Sequence, residues 1–375
     1  MYNSEEIIKL FQNPKKADII ELLNSKDELQ NLLLKTAAEI KSKYVDDIVY
    51  FRGLIEYSNI CSKNCKYCGI RKGNKNLNRY TMSDHEVIDA AKYAHNERYA
   101  SIALQSGELN SKKFTEKITS LLKKINSETN NELGITLSLG EQDEETLKMW
   151  KENLGIRRYL LRIETSNEKL YKKIHPNNET HSYQKRLETL KLLRKLNYQV
   201  GTGVMIGLPF QTVENLAEDI LFFKDFDVDM IGMGPYIEHS DTPLYKYKDS
   251  LLPLSERFNL SLNMIAICRI MFKDINIVAS TAMQAIDSAG REKAIKAGAN
   301  IIMPNLTPQK YRDNYLLYQN KPYTNEDPFL CKKYLEDSIQ LTGSRIGYGE
   351  WGDSKHYFRK NFVLRAYGHS KHQGH

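Results

Sequence analysis

The sequence has few cysteines and no long apolar run, and both features narrow the class of protein. No stretch of about 18 uncharged apolar residues occurs, so the sequence predicts no membrane-spanning helix. The N-terminal residues lack the apolar segment behind a basic one that marks a secretory signal. Five cysteines among 375 residues are an odd number and a poor disulfide framework. We therefore expect a cytoplasmic protein without a membrane partner.

A large excess of charge of one sign is also absent. Lys and Arg number 54 against 47 Asp and Glu, which leaves a net charge of +7. So small a surplus does not by itself predict nucleic-acid binding, and we expect no nucleic-acid partner. Hydrophobic residues make up 41% of the chain and charged residues 27%, a balance typical of a folded globular protein rather than a disordered one.

Short apolar or β-branched runs alternate with amphipathic helical stretches through the middle of the chain. Eight such runs are candidate strands: residues 49–57, 101–105, 134–139, 159–163, 200–207, 228–234, 275–280 and 299–304. Strands that alternate with helices predict a parallel sheet. Eight repeats favour a complete (β/α)8 TIM barrel over the alternative, an open doubly wound sheet.

Extensions flank this predicted barrel domain at both ends, and we place its bounds at residues 45 and 322. Residues 1–44 carry apolar side chains at spacings of three and four, which predict an N-terminal helical extension. Residues 323–375 form a C-terminal extension that we expect to be partly helical and partly irregular, with a polar, irregular tail. A closed barrel with helical ends has no obligate need of a partner, so we expect a monomer.

Three of the five cysteines, Cys61, Cys65 and Cys68, fall within the eight residues CSKNCKYC. Three thiolates at this spacing suit a 4Fe–4S cluster with one open iron. A structural zinc site would have four ligands, usually in two pairs, and no second pair lies downstream. Burial of the cysteines as small hydrophobic residues is a further alternative. An open iron has a use, because it can bind S-adenosylmethionine (SAM), which one electron then cleaves to a 5′-deoxyadenosyl radical.

Polar residues follow most of the predicted strands. The sets are Gln105 to Glu108, Ser138 to Glu141, Arg162 to Thr165, Gly207 to Pro209, Gly234 to Tyr236, Ser280 to Met283, and Pro304 with Asn305. In a barrel these positions face one mouth, where active sites are built. Tyr67 could pack beside adenine, Glu108 or Glu164 could accept hydrogen bonds from SAM, and Arg162 or Arg186 could hold its carboxylate. Taken singly, such residues are more often packing residues or surface ion pairs.

Basic residues follow the cysteine loop closely, at Arg71, Lys72, Lys75 and Arg79. A solvated charged face explains them in the simplest way. The alternative is a docking surface for an acidic one-electron donor such as ferredoxin or flavodoxin.

The motifs together resemble the HydE family of iron-iron (FeFe) hydrogenase maturases, within the radical SAM superfamily. The resemblance extends from about residue 35 to 325 and also touches GYGEWG near residue 347. It is carried by EYSNICSKNCKYCGIRKGNKNLNRYTM, LQSGE, TLSLGE, YLLRIET, GTGVMIGLPFQT, DMIGMGPYIEHSDTPL, STAM and GANIIMPNLTP. The CxxxCxxC motif marks the superfamily, and the order of the later motifs indicates the family.

The resemblance implies a complete (β/α)8 barrel with one 4Fe–4S cluster on Cys61, Cys65 and Cys68 and with SAM on the unique iron. The residues that would bind SAM are Ser138, Glu164 and Arg186, with Gln105, Gly107 and Glu108 in the segment that holds its amine. The residues that would line an anion or substrate pocket are Arg162, Ser280 and Thr281, and those that would approach the substrate are Tyr315 and Tyr318.

The resemblance also implies a role in assembling the diiron cofactor, the H-cluster, of FeFe hydrogenase. The substrate would be an iron species bearing cysteine, carbon monoxide and cyanide, and the partners would be the maturases HydG and HydF and an electron donor. Some family members have extra C-terminal cysteines for a second cluster, whereas here only Cys331 lies in that region, so we predict one cluster. Open alternatives are a biotin-synthase-like or methylornithine-synthase-like reaction and a non-catalytic iron-sulfur or zinc scaffold.

Overall fold

A computed structural model describes the backbone of residues 2–322 and 328–370 and the side chains of residues 2–322 and 332–362. The N-terminal extension is helical, as its apolar spacing predicts, with α1 (Ser4–Leu10), α2 (Lys16–Leu23) and α3 (Asp27–Val45). Asn3 caps α1 and forms a reciprocal pair of hydrogen bonds with Glu6. Helix α3 buries Leu33, Ala37 and Ile40. This extension is therefore packed, not loosely attached.

Each candidate strand has a counterpart in the described residues. The strands are β1 (Ile48–Phe51), β2 (Gly53–Ser58), β3 (Ser101–Ser106), β4 (Gly134–Ser138), β5 (Arg158–Leu160), β6 (Gln199–Thr202), β7 (Met205–Ile206), β8 (Met230–Ile231), β9 (Gly234–Pro235), β10 (Asn276–Ile277), β11 (Ile301–Ile302) and β12 (Arg345–Ile346). Parallel pairing in the described chain gives a seven-stranded sheet in the order β10-β8-β6-β5-β4-β3-β2, a sheet β11-β1-β12 and a pair β7-β9. All residues of β1 and β2 are buried, as expected for parallel strands covered on both faces. The fold is thus barrel-like, with a parallel sheet inside a layer of helices.

Three predicted strands are each divided in two. The run 49–57 is interrupted at Arg52, whose buried guanidinium donates to the carbonyl oxygen of Gly352 at 2.8 Å. The runs 200–207 and 228–234 are interrupted at Gly203 and Gly232, where the two backbones approach closely. A Cβ on Gly203 would lie 1.8 Å from the carbonyl oxygen of Gly232, so only glycine fits at position 203.

The other helices mostly follow the strands in alternation. They are α4 (Asp84–Asn96), α5 (Lys112–Glu128), α6 (Glu144–Leu154), α7 (Glu168–Ile174), α8 (Tyr183–Lys195), α9 (Val213–Phe226), α10 (Leu254–Phe272), α11 (Thr281–Ile286), α12 (Gly290–Lys296), α13 (Gln309–Arg312), α14 (Pro328–Gln340) and α15 (Lys355–Ser370), with 3-10 turns at Glu179–His181 and Pro243–Ser250. Ser83 and Glu86 form the expected capping box at the start of α4. Within residues 2–322 and 328–370, no helix is both long and apolar enough to cross a bilayer.

The C-terminal extension is helical in part, as predicted, but the tail after about residue 325 is far less irregular than its polar composition suggested. Helices α14 and α15 occupy it, and β12 pairs in parallel with β1. At the start of β5, the buried Arg158 donates to the carbonyl oxygen of Trp351 at 2.7 Å and pairs with Asp353 at 2.6 Å. These contacts join residues almost 200 positions apart, so local sequence pattern does not reveal them. The side chain of Cys331 and the histidines of residues 369–375 lie outside the described side chains.

Candidate active site

The cysteine loop begins where β2 ends, at the carboxyl edge of the parallel sheet. Cys61, Cys65 and Cys68 line a cavity of about 330 Å³ at this edge. The loop is tied to β3, because the amide of Glu108 donates to Cys61 Sγ at 3.3 Å and the amide of Ser62 donates to the carbonyl oxygen of Glu108 at 2.9 Å. The three thiols therefore share one wall of one cavity.

A single arginine holds the backbone of the cysteine loop in shape. The Arg79 guanidinium donates to four loop carbonyl oxygens, those of Asn59, Ile70, Arg71 and Asn74. Of the basic residues that follow the cysteines, Arg79 thus has a structural role, whereas Lys72 and Lys75 are exposed to solvent. The simplest interpretation of this basic segment, a solvated face, does not apply to Arg79.

The chemistry of the three thiols fits an iron-sulfur cluster. Burial raises the pKa of Cys61, raises that of Cys65 to about 12, and raises that of Cys68 well above its usual range. The neighbouring thiols raise the pKa of Cys65 and Cys68 further. Three buried thiolates at such spacing require cations to offset their charge, and iron bound to each sulfur supplies them.

A closed ring of four ion pairs lies beside the cysteine loop. Lys63, between two of the cysteines, pairs with Glu108 at 3.0 Å and with Glu141 at 3.0 Å. Arg186 of α8 pairs with the same two carboxylates, at 3.0 Å to Glu108 and 2.9 Å to Glu141. Burial opposes the charge on Arg186, but the two carboxylates raise its pKa above the usual range; Arg186 and Lys63 likewise lower the pKa of Glu108 against the effect of burial. The ring therefore joins two basic side chains to two acidic ones, and each of the four has two partners of opposite sign.

The segment after β3 lies directly against the cysteine loop. A Cβ on Gly107 would lie 2.4 Å from the carbonyl oxygen of Ile60 and 2.9 Å from Cys61 Cβ, so glycine permits this approach. Gln105, on the same strand, donates to the Tyr315 hydroxyl at 3.3 Å. Gln105 and Gly107 line the cavity, and so does Ser138, the last residue of β4.

Glu164 and Arg162, which follow β5, form a separate ion pair on the cavity wall. Arg162 Nη2 lies 2.9 Å from Glu164 Oε2 and donates to the carbonyl oxygen of Val204 at 2.9 Å. Burial raises the pKa of Glu164, although the charge of Arg162 opposes the shift. Glu164 has φ 67°, a left-handed conformation that is unusual for a residue with a side chain.

The predicted substrate residues line the same cavity. Ser280 and Thr281 lie at the start of α11, and the Thr281 hydroxyl accepts a hydrogen bond from Arg291 at 3.1 Å. Tyr315 and Tyr318 come from the segment after α13, and burial raises the pKa of both phenols. The structure thus brings together the three cysteines and all the residues predicted to contact SAM or the substrate. Of the other polar sets predicted at the mouth, Gly207 to Pro209 and Pro304 with Asn305 do not line this cavity.

Tyr67 is oriented by a buried histidine. Burial lowers the pKa of His175 to about 3, so its ring is neutral. His175 Nδ1 donates to the carbonyl oxygen of Tyr171 at 2.9 Å, which leaves Nε2 to accept from the Tyr67 hydroxyl at 3.2 Å. The rings of Tyr67 and His175 are nearly perpendicular, with centroids 5.3 Å apart.

Several residues of the site have no assigned role in the sequence-based prediction, although Glu141 appears there among the polar residues that follow the strands. Glu141 and Lys63 complete the ion-pair ring, and Glu56 of β2 pairs with Lys321 on the cavity wall. A signal for Glu141 exists, because it follows β4 as Glu108 follows β3. Glu56 is a charged residue within a largely apolar strand. The alternation of side chains along a strand places it on the same face as Leu54, which lines the cavity. Lys321 has no such local signal.

The family model of the radical SAM superfamily matches residues 55–223, which contain the cysteine loop and the ion-pair ring. Radical SAM enzymes use a 4Fe–4S cluster and SAM, and Cys61, Cys65 and Cys68 fit their CxxxCxxC motif. The fold and the cavity define the chain as a radical SAM enzyme, and its cofactors are a 4Fe–4S cluster and SAM.

A curated relative identifies the family. The chain is 43% identical over 326 residues to the [FeFe] hydrogenase maturase subunit HydE of Thermotoga maritima, which covers 87% of this chain and 89% of that protein. The chain belongs to the HydE family. This membership outweighs the zinc and scaffold alternatives.

Solved structures support the fold. The crystal structure of methylornithine synthase (PylB) matches with a TM-score of 0.75 at 21% identity, covering 92% of this chain and 97% of that chain. The X-ray structure of the FeFe-hydrogenase maturase HydG from Carboxydothermus hydrogenoformans matches with a TM-score of 0.74 at 18% identity, covering 92% and 79%. At these identities the likeness concerns the fold alone.

Proposed function

We propose that this protein cleaves SAM reductively and takes part in assembling the diiron cofactor of FeFe hydrogenase. The observation that carries the proposal is the 43% identity to HydE along 87% of the chain, together with three cysteines that line the same cavity as the predicted SAM residues. When bound, the cluster and SAM supply the 5′-deoxyadenosyl radical. The residues of the chain bind, orient and enclose the reactants.

The proposed SAM site lies between the cysteine loop and the ends of β3 to β5. Gln105, Gly107, Glu108 and Ser138 border the cysteine loop, and Tyr67 offers an aromatic face to adenine. Arg186 would hold the carboxylate of SAM, and Glu164 would accept hydrogen bonds from its amine or ribose. Because Arg186 already pairs with Glu108 and Glu141, its guanidinium is fixed in place before any ligand arrives.

The proposed substrate site lies deeper in the cavity. An anionic group of the substrate would bind at Arg162, Ser280 and Thr281. The phenols of Tyr315 and Tyr318 would approach the same substrate. Burial keeps both phenols protonated near neutral pH, so each can donate a hydrogen bond. The proposed substrate is a cysteine-ligated iron complex with carbon monoxide and cyanide.

The proposed architecture is a complete (β/α)8 barrel at residues 45–322 between helical extensions. The amide of Leu54 donates to the carbonyl oxygen of Pro304 at 2.7 Å, and the amide of Ala279 donates to that of Ile301 at 2.9 Å. These bonds bridge the two larger sheets on either side of β11 and support closure. A closed barrel would enclose the cavity and shield radical chemistry from water.

The proposed partners are HydG, HydF and an acidic one-electron donor that docks near the exposed Lys72 and Lys75. The cysteines described are free thiols, which favours a reducing compartment and supports the proposed cytoplasmic location. We expect the chain to work as a monomer.

Two anaerobic measurements test this function. Protein reconstituted with iron and sulfide and reduced with dithionite should convert SAM to 5′-deoxyadenosine, and Cys65→Ala should abolish the product. The same preparation should restore hydrogenase activation in a maturation mixture that lacks HydE but contains HydG and HydF. Absence of 5′-deoxyadenosine despite an intact reduced cluster and the iron substrate would contradict the enzymatic role. SAM cleavage without activation would contradict the maturation role.

A further inference from the structure

Glu164 has a strained backbone that its own contacts only partly explain. Its φ of 67° is held on the sheet side by two hydrogen bonds, from its amide to the carbonyl oxygen of Gly203 at 3.0 Å and from the amide of Met205 to its carbonyl oxygen at 3.2 Å. A residue persists in such a conformation only where its surroundings determine it from several sides. The chain beyond Glu164 therefore needs an anchor of its own.

Asp219 of α9 provides this anchor from outside the sheet. Its Oδ1 accepts from the amide of Ser166 at 2.5 Å and from the Ser166 hydroxyl at 2.6 Å. The Tyr183 hydroxyl of α8 donates to the carbonyl oxygen of Ser166. The next residue of α9 towards the N-terminus, Glu218, accepts from the Asn167 side chain at 3.1 Å. The turn after Glu164 is thus clamped to two helices.

Asp219 does not line the cavity, and no part of its residue surface is exposed. Burial raises its pKa to about 7, although the hydrogen bonds from Ser166 oppose the shift. A carboxylate in this position is unfavourable unless the bonds it accepts are retained. An apolar residue at position 219 would pack helix α9 equally well. The turn after Glu164, by contrast, depends on Asp219 to accept two hydrogen bonds from Ser166.

We propose that Asp219 is a positioning residue for SAM binding, which fixes the turn at Ser166 so that Glu164 presents its carboxylate to the cavity. The proposal rests on the SAM-binding role proposed for Glu164. Asp219 touches neither SAM nor the cluster and acts through two intervening residues. Its removal should therefore weaken SAM binding without removing the cluster.

The first test measures the turn itself, in protein without cluster or SAM. Amide hydrogen exchange at residues 163–167 should be slow in the wild type and at least tenfold faster in Asp219→Ala. Asp219→Asn retains an oxygen that can accept from Ser166 and should keep most of the protection. Asp229→Asn is the matched control, because Asp229 is equally buried and its carboxylate accepts from the amide of Val200 at 2.8 Å at the opposite end of the barrel.

The second test measures SAM affinity and turnover in reconstituted protein. Residues that orient metal ligands by hydrogen bonds contribute about 10- to 100-fold to metal affinity or activity. By analogy, Asp219→Ala should raise the Kd and KM for SAM about tenfold, with kcat and iron content little changed. Asp219→Asn should restore most of the affinity, and Asp229→Asn should leave the affinity unchanged even if it lowers Tm. Glu164→Gln should weaken SAM binding at least as much as Asp219→Ala.

The outcomes separate the two proposals. Unchanged exchange at residues 163–167 or unchanged SAM affinity in Asp219→Ala would overturn the positioning role, and so would unchanged affinity in Glu164→Gln. If the wild type binds SAM with the expected dependence on Asp219 but forms no 5′-deoxyadenosine, the positioning role stands and the proposed function fails.

Discussion

Gly140 lies directly against Glu108. A Cβ at position 140 would come within 1.9 Å of Glu108 Cγ, and Gly140 has φ 78°. Because Gly140 has no side chain, Glu108 has room to extend past it to Lys63 and Arg186. The glycine after β4 and the carboxylate after β3 form one structural unit, although 31 residues separate them in sequence.

Gly140→Ala should displace Glu108 from the ion-pair ring. The added methyl group must push the Glu108 side chain aside, and the backbone strain adds about 1 kcal/mol. We expect at least a tenfold rise in the KM for SAM, measured by 5′-deoxyadenosine formation, and a lower Tm. Gly155→Ala is the control, because Gly155 has φ 67° but no atom lies within 4 Å of its added Cβ. Equal SAM kinetics in the two variants would show that Glu108 does not depend on Gly140.

Glu141→Gln should destabilise the protein far more than loss of a surface carboxylate. Glu141 pairs with both Lys63 and Arg186 and is almost fully buried. Removing one partner of a buried ion pair leaves an uncompensated charge and typically costs about 3–5 kcal/mol. Denaturant unfolding of cluster-free protein measures the loss.

The control for Glu141 is Glu128→Gln, which breaks a half-exposed pair with Lys92 of the same 3.0 Å length. Such pairs contribute about 0–1 kcal/mol. A loss below about 1 kcal/mol for Glu141→Gln would mean that the ring adds little to stability.

Much of the site could be predicted from the sequence because its signals are local. The three cysteines lie within eight residues of the chain. Gln105, Ser138, Arg162 and Ser280 each end a strand or follow one. Parallel strands bring such positions to one edge. By contrast, the pairing of Lys63 with Glu141 depends on how side chains of distant segments meet. The sequence shows that these residues are charged but does not show which residue each one pairs with.

The fold, too, could be predicted only where its signals are local. The strand runs were recognisable from their apolar β-branched residues, whereas β12 has two residues and pairs with β1 almost 300 positions away. The interruptions at Gly203 and Arg52 accompany contacts with Gly232 and Gly352, which are distant in sequence. The helices of the C-terminal extension bury residues against surfaces that the local pattern does not contain, so their polar composition misleads.

His356 should make the docking of α15 sensitive to alkaline pH. Burial opposes its charge, but hydrogen bonds to Asp227 at 2.5 Å and Asp274 at 3.3 Å raise its pKa to about 9. A raised pKa stabilises the fold fully below the usual value of about 6.5, and this stabilisation is lost as pH rises through about 9. We expect the free energy of unfolding to fall by roughly 1–3 kcal/mol between pH 6.5 and 9.5.

His356→Gln should flatten this dependence, as followed by denaturant unfolding across the pH range. His85→Gln serves as the comparison, because His85 is largely exposed and pairs with Asp89 at the surface. A slope in His356→Gln as steep as in the wild type would assign the pH dependence to other groups.

Lys72→Glu should slow reduction of the cluster by an acidic protein donor. Lys72 is exposed on the segment that follows the cysteines, where charge attraction can steer a donor. We expect about a tenfold lower rate with flavodoxin at low salt, a weaker dependence on ionic strength, and unchanged reduction by dithionite. Lys113→Glu makes the same charge change on the exposed face of α5. Equal flavodoxin rates in the two variants would rule out this docking surface.

Replacing Cys61, Cys65 and Cys68 together by alanine should remove all bound iron and sulfide. The prediction follows from a single cluster with three cysteine ligands, because Cys331 has no neighbouring cysteine in the C-terminal region to share a second one. Reconstituted wild type should hold about four iron and four sulfide per chain. Cys268→Ala should keep that content, since Cys268 is fully buried in α10 and burial raises the pKa of its thiol. Substantial residual iron and sulfide in the triple variant, with the absorbance of a cluster, would reveal a second site.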